Sequence, residues 1–135
     1  MIGILIVAHN PVASSFAAAV GHVLGKIPEQ FAWLDVANDA QPIEWLDRAR
    51  AHVVQLNSGP GVLVCTDLCG ATPCNIANQL SQPGKVHVLT GLNMPMLLRA
   101  INYRHLTLNE LTDKALTGAK TGVMQMELGD DASKS

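Results

Sequence analysis

Short apolar runs alternate with segments whose apolar side chains recur every three or four positions, and this alternation continues to about Leu128. Ile2 to Ala8 is continuously apolar and rich in β-branched residues, the pattern of a strand buried on both faces. It stops at His9, and Asn10-Pro11 follow. Asn favours the helix N-cap and Pro the first helical position. A helix is therefore expected over Val12 to Ile27, with Phe16, Val20, Val23 and Leu24 as its apolar stripe and Pro28 as its end.

The same reading continues along the chain. Phe31 to Val36 predicts a second strand, Asn38 to Pro42 a loop, and Ile43 to Leu56 a second helix. Asn57-Ser58-Gly59-Pro60 is a turn signal, and Gly61 to Thr66 a third buried strand. Asp67 to Pro73 is a loop before a short helix, Cys74 to Leu80. Pro83-Gly84 turns into a fourth strand, Lys85 to Thr90. Gly91 to Asn93 is a loop, and Met94 to Tyr103 a helix. Thr107 to Glu110 matches a capping box that opens a helix to about Leu116. Gly122 to Leu128 alternates partially and predicts a last strand, after a flexible hinge at Gly118 to Gly122. Gly129 to Ser135 is a polar tail expected to fray.

Strands alternating with helices predict a three-layer α/β domain with a doubly wound, mainly parallel sheet over residues 1–128. In a 2-1-3-4 strand order the carboxyl ends of the first and third strands flank the switch-point crevice, where ligands bind in open α/β sheets. His9 ends one of those strands and Asp67 follows the other.

Composition narrows the field. The 135 residues are 48% hydrophobic and 15% charged, with a formal net charge of -2, which suits one compact domain. No basic run or stripe occurs, so nucleic acid is not an expected partner. No stretch is long enough to span a bilayer, and Ile2 to Ala8 lacks the charged flank of a signal peptide. The three cysteines, Cys65, Cys69 and Cys74, cluster in one segment. An odd count without an export signal predicts free thiols, each read as a plain buried thiol, in a reducing cytoplasmic setting.

A loop histidine can exchange protons, bind a metal or carry a phosphoryl group. A carboxylate beside it accepts a hydrogen bond from one ring nitrogen, fixes the tautomer and leaves the other nitrogen as a nucleophile; it also favours the imidazolium. Asp67 is the residue for that role. The backbone N–H groups of Gly70, Ala71 and Thr72, the Thr72 hydroxyl and the helix start after Asn10-Pro11 offer an anion site, which favours a phosphohistidine. His22, His52, His87 and His105 lie in or beside regular elements and are read as surface or packing residues; Asp35 is read as a capping or solvated residue. No cysteine has an Arg six positions on, which excludes a cysteine-phosphatase loop, and His9-Asn10 stands where a receiver domain has an acidic pair. The 4% aromatic content argues against a flavin. The C-x3-C-x4-C spacing is poor for zinc, with a Cys–His9 set as the open alternative; no metal and no cofactor are expected.

Three separated motifs then give the chain a family resemblance. The opening strand into Ala8-His9, the run Thr66-Asp67-Leu68-Cys69-Gly70-Ala71-Thr72-Pro73 with Asn75, and Gly91-Leu92-Asn93-Met94-Pro95-Met96-Leu97 occur in that order. Gly118 to Val123 follows as the entry to a final strand. Together they resemble the enzyme IIA domain of the mannose family of the bacterial phosphoenolpyruvate-dependent sugar phosphotransferase system. The resemblance implies that His9 takes a phosphoryl group from the phosphocarrier protein HPr and passes it to a IIB component, serving membrane IIC and IID components indirectly. It implies that Asp67 orients His9 and that Gly70, Ala71 and Thr72 hold the phosphate. It further implies a homodimer whose last strand crosses over and pairs antiparallel at the edge of the partner's sheet. Since no IIB domain follows residue 135, the acceptor is expected on another chain or to be absent. Asn10-Pro11 replaces the Gly or Ser common after the histidine, and Cys69 or Cys74 stands where many members carry an aromatic. Two alternatives are a regulatory phosphoprotein uncoupled from sugar uptake and a phosphoryl donor subunit for a dihydroxyacetone kinase. The second branch has Gly-Ser-Ala after Asp-Leu, where this chain has Cys69-Gly70-Ala71.

Overall fold

The computed structural model describes residues 1–38 and 41–127. Its strands are β1 (Gly3–His9), β2 (Phe31–Val36), β3 (Val62–Thr66) and β4 (Val86–Thr90). The helices are α1 (Val12–Leu24), α2 (Pro42–Leu56), α3 (Thr72–Asn78), α4 (Met94–Asn102) and α5 (Leu108–Thr121). The strands form one parallel sheet, as the alternation of apolar runs and helical stripes predicts, and its order is the expected β2-β1-β3-β4.

Side chains alternate across the pleat and fill two separate cores. Ile4, Ile6, Ala8, Leu63 and Cys65 face α1, α4 and α5, where Ala17, Val20, Leu97 and Leu111 pack on them. Leu5, Val7, Leu34, Val62 and Val64 face α2 and α3, against Ala49, Leu56, Ile76 and Ala77. Both layers are buried, so the central strands carry no polar alternation.

Several boundaries differ from the sequence expectation. Helix α1 stops at Leu24, before Pro28, because Gly25 takes a left-handed conformation (φ 83°) and ends the ladder. Asn10 is not its N-cap. Pro11 occupies that position without a side-chain cap. The free amide of Ser14 is instead met by Asp35 Oδ1 at 2.9 Å from the neighbouring β2, the capping role read for Asp35. Helix α3 begins at Thr72, with Pro73 in its first turn, two positions ahead of the expected Cys74. Helix α5 opens on the expected box, Thr107 Oγ1 accepting from Glu110 N and Glu110 Oε1 from Thr107 N. It runs past Leu116 to Thr121, so Gly118 to Thr121 is helix and not a hinge. A Cβ at Gly118 would stand 2.9 Å from the Arg99 side chain, so its absence lets α5 lie close on α4.

The expected last strand is absent from the described part of the protomer. Gly122 ends α5, and residues 123–127 form no regular element, with Val123, Met124 and Met126 exposed. A strand needs an edge to pair with, and this segment pairs with neither β2 nor β4 of its own chain. Leu128, the tail from Gly129, and Asp39 and Ala40 of the Asn38 to Pro42 loop lie outside the described residues.

At the opposite, amino-terminal edge of the sheet sits Arg104, buried at 5% exposure. Its guanidinium donates to the carbonyls of Ile2 (2.9 Å), Glu29 (2.6 Å) and Gln30 (2.6 Å), tying the chain after α4 to the starts of β1 and β2.

Candidate functional site

His9 is the last residue of β1, and Asp67 directly follows β3, its neighbour in the sheet. Parallel pairing brings both to the same carboxyl edge, so two residues 58 positions apart touch. Asp67 Oδ2 accepts from the His9 backbone N–H at 3.1 Å and lies 2.8 Å from His9 Nδ1. The imidazole is 37% exposed, whereas the Asp67 side chain is 16% exposed, so the ring reaches solvent over a sheltered carboxylate.

Burial pushes the Asp67 carboxyl up. The hydrogen bonds from the His9 ring and backbone, with the His9 charge, outweigh burial and hold it below the ordinary carboxylate range. An ionised carboxylate only accepts hydrogen bonds, so the 2.8 Å contact puts the proton on Nδ1. In the neutral ring Nε2 then carries the lone pair. Asp67 Oδ1 is buried and has no hydrogen-bond partner among the described residues, so Oδ2 alone serves both His9 contacts.

The loop from Asp67 to Ala71 joins β3 to α3. Thr72, expected to offer its hydroxyl, is exposed at the first position of α3; Gly70 is exposed and Ala71 partly exposed. Sequence reasoning gave no role to Leu68, which stands 59% exposed beside Asp67. The third motif braces the same edge. Leu92 N donates to Thr66 O at 3.1 Å. Asn93 caps α4 by accepting from Met96 N at 2.9 Å and donates to Ala119 O of α5 at 3.0 Å.

The other histidines stand apart from this pair. His22 and His105 are exposed, His52 lies partly buried in α2, and His87 Nδ1 meets the Thr112 hydroxyl at 2.7 Å. The cysteines differ from the expectation of three buried thiols. Only Cys65 is buried, its thiol pushed up to about 12 by burial, while Cys69 is exposed and Cys74 partly exposed, because both sit on or next to a surface loop. Among the described residues no three His, Cys, Asp or Glu side chains converge as a metal site, and no helix is long and apolar enough to cross a membrane.

A paired imidazole with one nitrogen free at a solvent-facing sheet edge is suited to nucleophilic attack. Comparisons with known proteins assign the chain to a family. A family model described as PTS system fructose IIA component matches residues 3–116. Comparison with curated protein sequences yields no match. Among solved structures the chain is similar to phosphotransferase system component EIIA from Streptococcus agalactiae, at 27% identity and a TM-score of 0.83, over 93% of this chain and 97% of that one. It is also similar to the PTS IIA protein associated with the fucose utilization operon from Streptococcus pneumoniae, at 25% identity and a TM-score of 0.76, over 91% of each chain. The mannose/sorbose specific IIA subunit from Enterococcus faecalis shares the fold at 22% identity and a TM-score of 0.82, over 94% of this chain and 96% of that one. With the family model spanning nearly the whole described fold, this chain belongs to the EIIA-man family, the IIA components of the phosphotransferase system.

Proposed function

We propose that this protein is a cytoplasmic phosphocarrier that accepts a phosphoryl group on His9 Nε2 from phospho-HPr and hands it to a IIB component. The observation that carries this is the His9–Asp67 pair, with Nδ1 held at 2.8 Å and the ring still open to solvent. Nε2 attacks the phosphorus, the donor's P–N bond breaks, and the donor nitrogen keeps its electron pair. Asp67 holds the ring in one tautomer and balances the positive charge that develops on it. Gly70, Ala71 and Thr72 are assigned to the phosphoryl oxygens, through backbone N–H groups and the Thr72 hydroxyl. Onward transfer reverses the first step with a new acceptor. The test is reconstitution with enzyme I, HPr and phosphoenolpyruvate. One acid-labile phosphoryl group per chain supports the proposal, and no incorporation rejects it.

Asp67→Asn keeps the shape and removes the charge. Loss of a charge-assisted hydrogen bond is worth roughly 1.5–3 kcal/mol, so transfer should slow by about one to two orders of magnitude. The variant also carries a pH signature. The folded Asp67 titrates below its unfolded value, so its contribution to stability is full above the ordinary carboxylate range and is lost as pH falls through the depressed folded value. The stability gap between wild type and variant should therefore be constant near neutrality and close in acid. A gap independent of pH would show that the Asp67 charge does not hold the pair.

The same proposal includes a homodimer in which the chain after α5 pairs antiparallel at the edge of the partner's sheet. Its support is the exposure of Val123 (75%), Met124 (67%) and Met126 (77%), three apolar side chains in a row of five residues that the protomer leaves uncovered. Exchange of a terminal element is a low-cost route to a symmetric dimer. Sedimentation should find a dimer at micromolar concentration, and deletion from Gly122 onward should leave monomers or aggregates. A full-length monomer, or a truncated protein that stays dimeric, contradicts this assembly.

A further inference from the structure

A cavity of about 340 Å³ lies between the β3–α3 loop that follows Asp67, α3 and β4. Both accessible thiols of the chain line it, Cys69 from the loop and Cys74 from the first turn of α3. The residues between them are Gly70, Ala71, Thr72 and Pro73, so a bond between the two sulfurs would close a ring around the turn assigned to the phosphoryl group. Few bonds hold the loop arm in place. Among the described residues no backbone hydrogen bond ties Leu68, Cys69 or Gly70 to another element. Gly70 holds φ +87°, with open space where a Cβ would stand. A disulfide needs Cα atoms about 4.4–6.8 Å apart, and with Cys74 fixed on α3 the adjustment falls on the Cys69 arm. The third cysteine is no competitor. Cys65 is wholly buried in β3 and its thiol stays protonated.

We propose that Cys69 and Cys74 are a reversible thiol pair that a peroxide oxidises to an intrachain disulfide, reshaping the Gly70–Thr72 turn and stopping phosphoryl transfer. The consequence for transfer rests on the phosphocarrier reading; the cross-link itself does not. The Cys69 thiol gives up its proton and the thiolate attacks a peroxide oxygen; the O–O bond breaks, Cys69 becomes a sulfenic acid, and the leaving hydroxide takes that proton to give one water. The Cys74 thiolate then attacks the sulfenic sulfur, the S–S bond forms, the S–O bond breaks, and the leaving hydroxide takes a proton to give a second water. Two thiols are oxidised and one peroxide is reduced. A bond exposed on a surface loop is open to thiol exchange, which makes the change reversible by a dithiol. Disulfides of reducing compartments are of this transient, sensing kind.

The experiment treats the full-length protein with hydrogen peroxide or with dithiothreitol, then reads intact mass, cross-linked peptides and phosphoryl acceptance. The expected result is loss of two hydrogens per chain and a peptide joining Cys69 to Cys74. Acceptance should fall on the order of a hundredfold, the scale of a misplaced binding group, and return with dithiothreitol. Cys69→Ser and Cys74→Ser should each accept phosphoryl groups at the reduced wild-type rate and resist peroxide. Only over-oxidised thiols, only links between chains, or a Cys69–Cys74 link that leaves acceptance unchanged would overturn the proposal. A reduced protein that accepts no phosphoryl group would reject the phosphocarrier reading instead, and a peptide map without the link would still reject the thiol pair.

Discussion

His9→Ala is expected to abolish phosphoryl acceptance from phospho-HPr and to leave the protein folded. The loss is complete because no other histidine is paired with a carboxylate at the sheet edge: His22 and His105 are exposed, His105 near the Tyr103 ring, His52 lies in α2, and His87 is engaged by Thr112. The fold survives because the imidazole is 37% exposed and packs into neither core. Asp67 loses its ring partner but keeps the backbone N–H of residue 9, so the stability change should be within about 1–2 kcal/mol in either direction. Intact-mass analysis after reconstitution, with a urea melt in parallel, reads both outcomes. Full labelling of the variant would remove His9 from the mechanism, and an unfolded variant would make it a structural residue.

Arg104→Ala is expected to cost much of the protein's stability although it lies far from the site. One buried guanidinium satisfies three carbonyls, those of Ile2, Glu29 and Gln30, at the point where β1 and β2 begin. Deleting it strands those acceptors at about 1–3 kcal/mol for each that water cannot reach, for a total of roughly 3–5 kcal/mol. Arg104→Lys retains a charge but only a point donor, and should recover a minor part, because a planar fork is what reaches several carbonyls together. Chemical denaturation should show both midpoints lowered with an unchanged slope. A loss under about 1 kcal/mol for the alanine variant would mean that the guanidinium merely replaces water at those carbonyls.

Arg104 was also the kind of residue the sequence does not disclose. A single cation between a helix end and Leu106 carries no periodicity, and its partners are backbone carbonyls, which have no signature in the letters. The strands were legible because both cores are apolar: Ile2 to Ala8 and Gly61 to Thr66 must be buried on two faces, and such runs leave little choice. The His9–Asp67 contact was legible for a related reason, since parallel order places the ends of β1 and β3 together whatever the loops do. Helix ends were harder. Gly25 outweighed Pro28 because a left-handed residue ends the helix sooner, and α5 outran Leu116 because Ala115, Gly118 and Ala119 gain burial against α4. The apolar segment after Gly122 reads as a strand by composition, yet a strand exists only where an edge receives it, and the protomer lends it none.

In the proposed mechanism Asp67 holds Nδ1 of His9 and leaves Nε2 to take the phosphoryl group. Heteronuclear NMR of uniformly 15N-labelled protein, phosphorylated through enzyme I and HPr, tests it most directly by assigning the nitrogen that couples to phosphorus. The expected spectrum shows a single phosphohistidine, His9, bonded through Nε2, with Nδ1 still protonated towards Asp67. Phosphorus on Nδ1 of His9, or on any other residue, would contradict it.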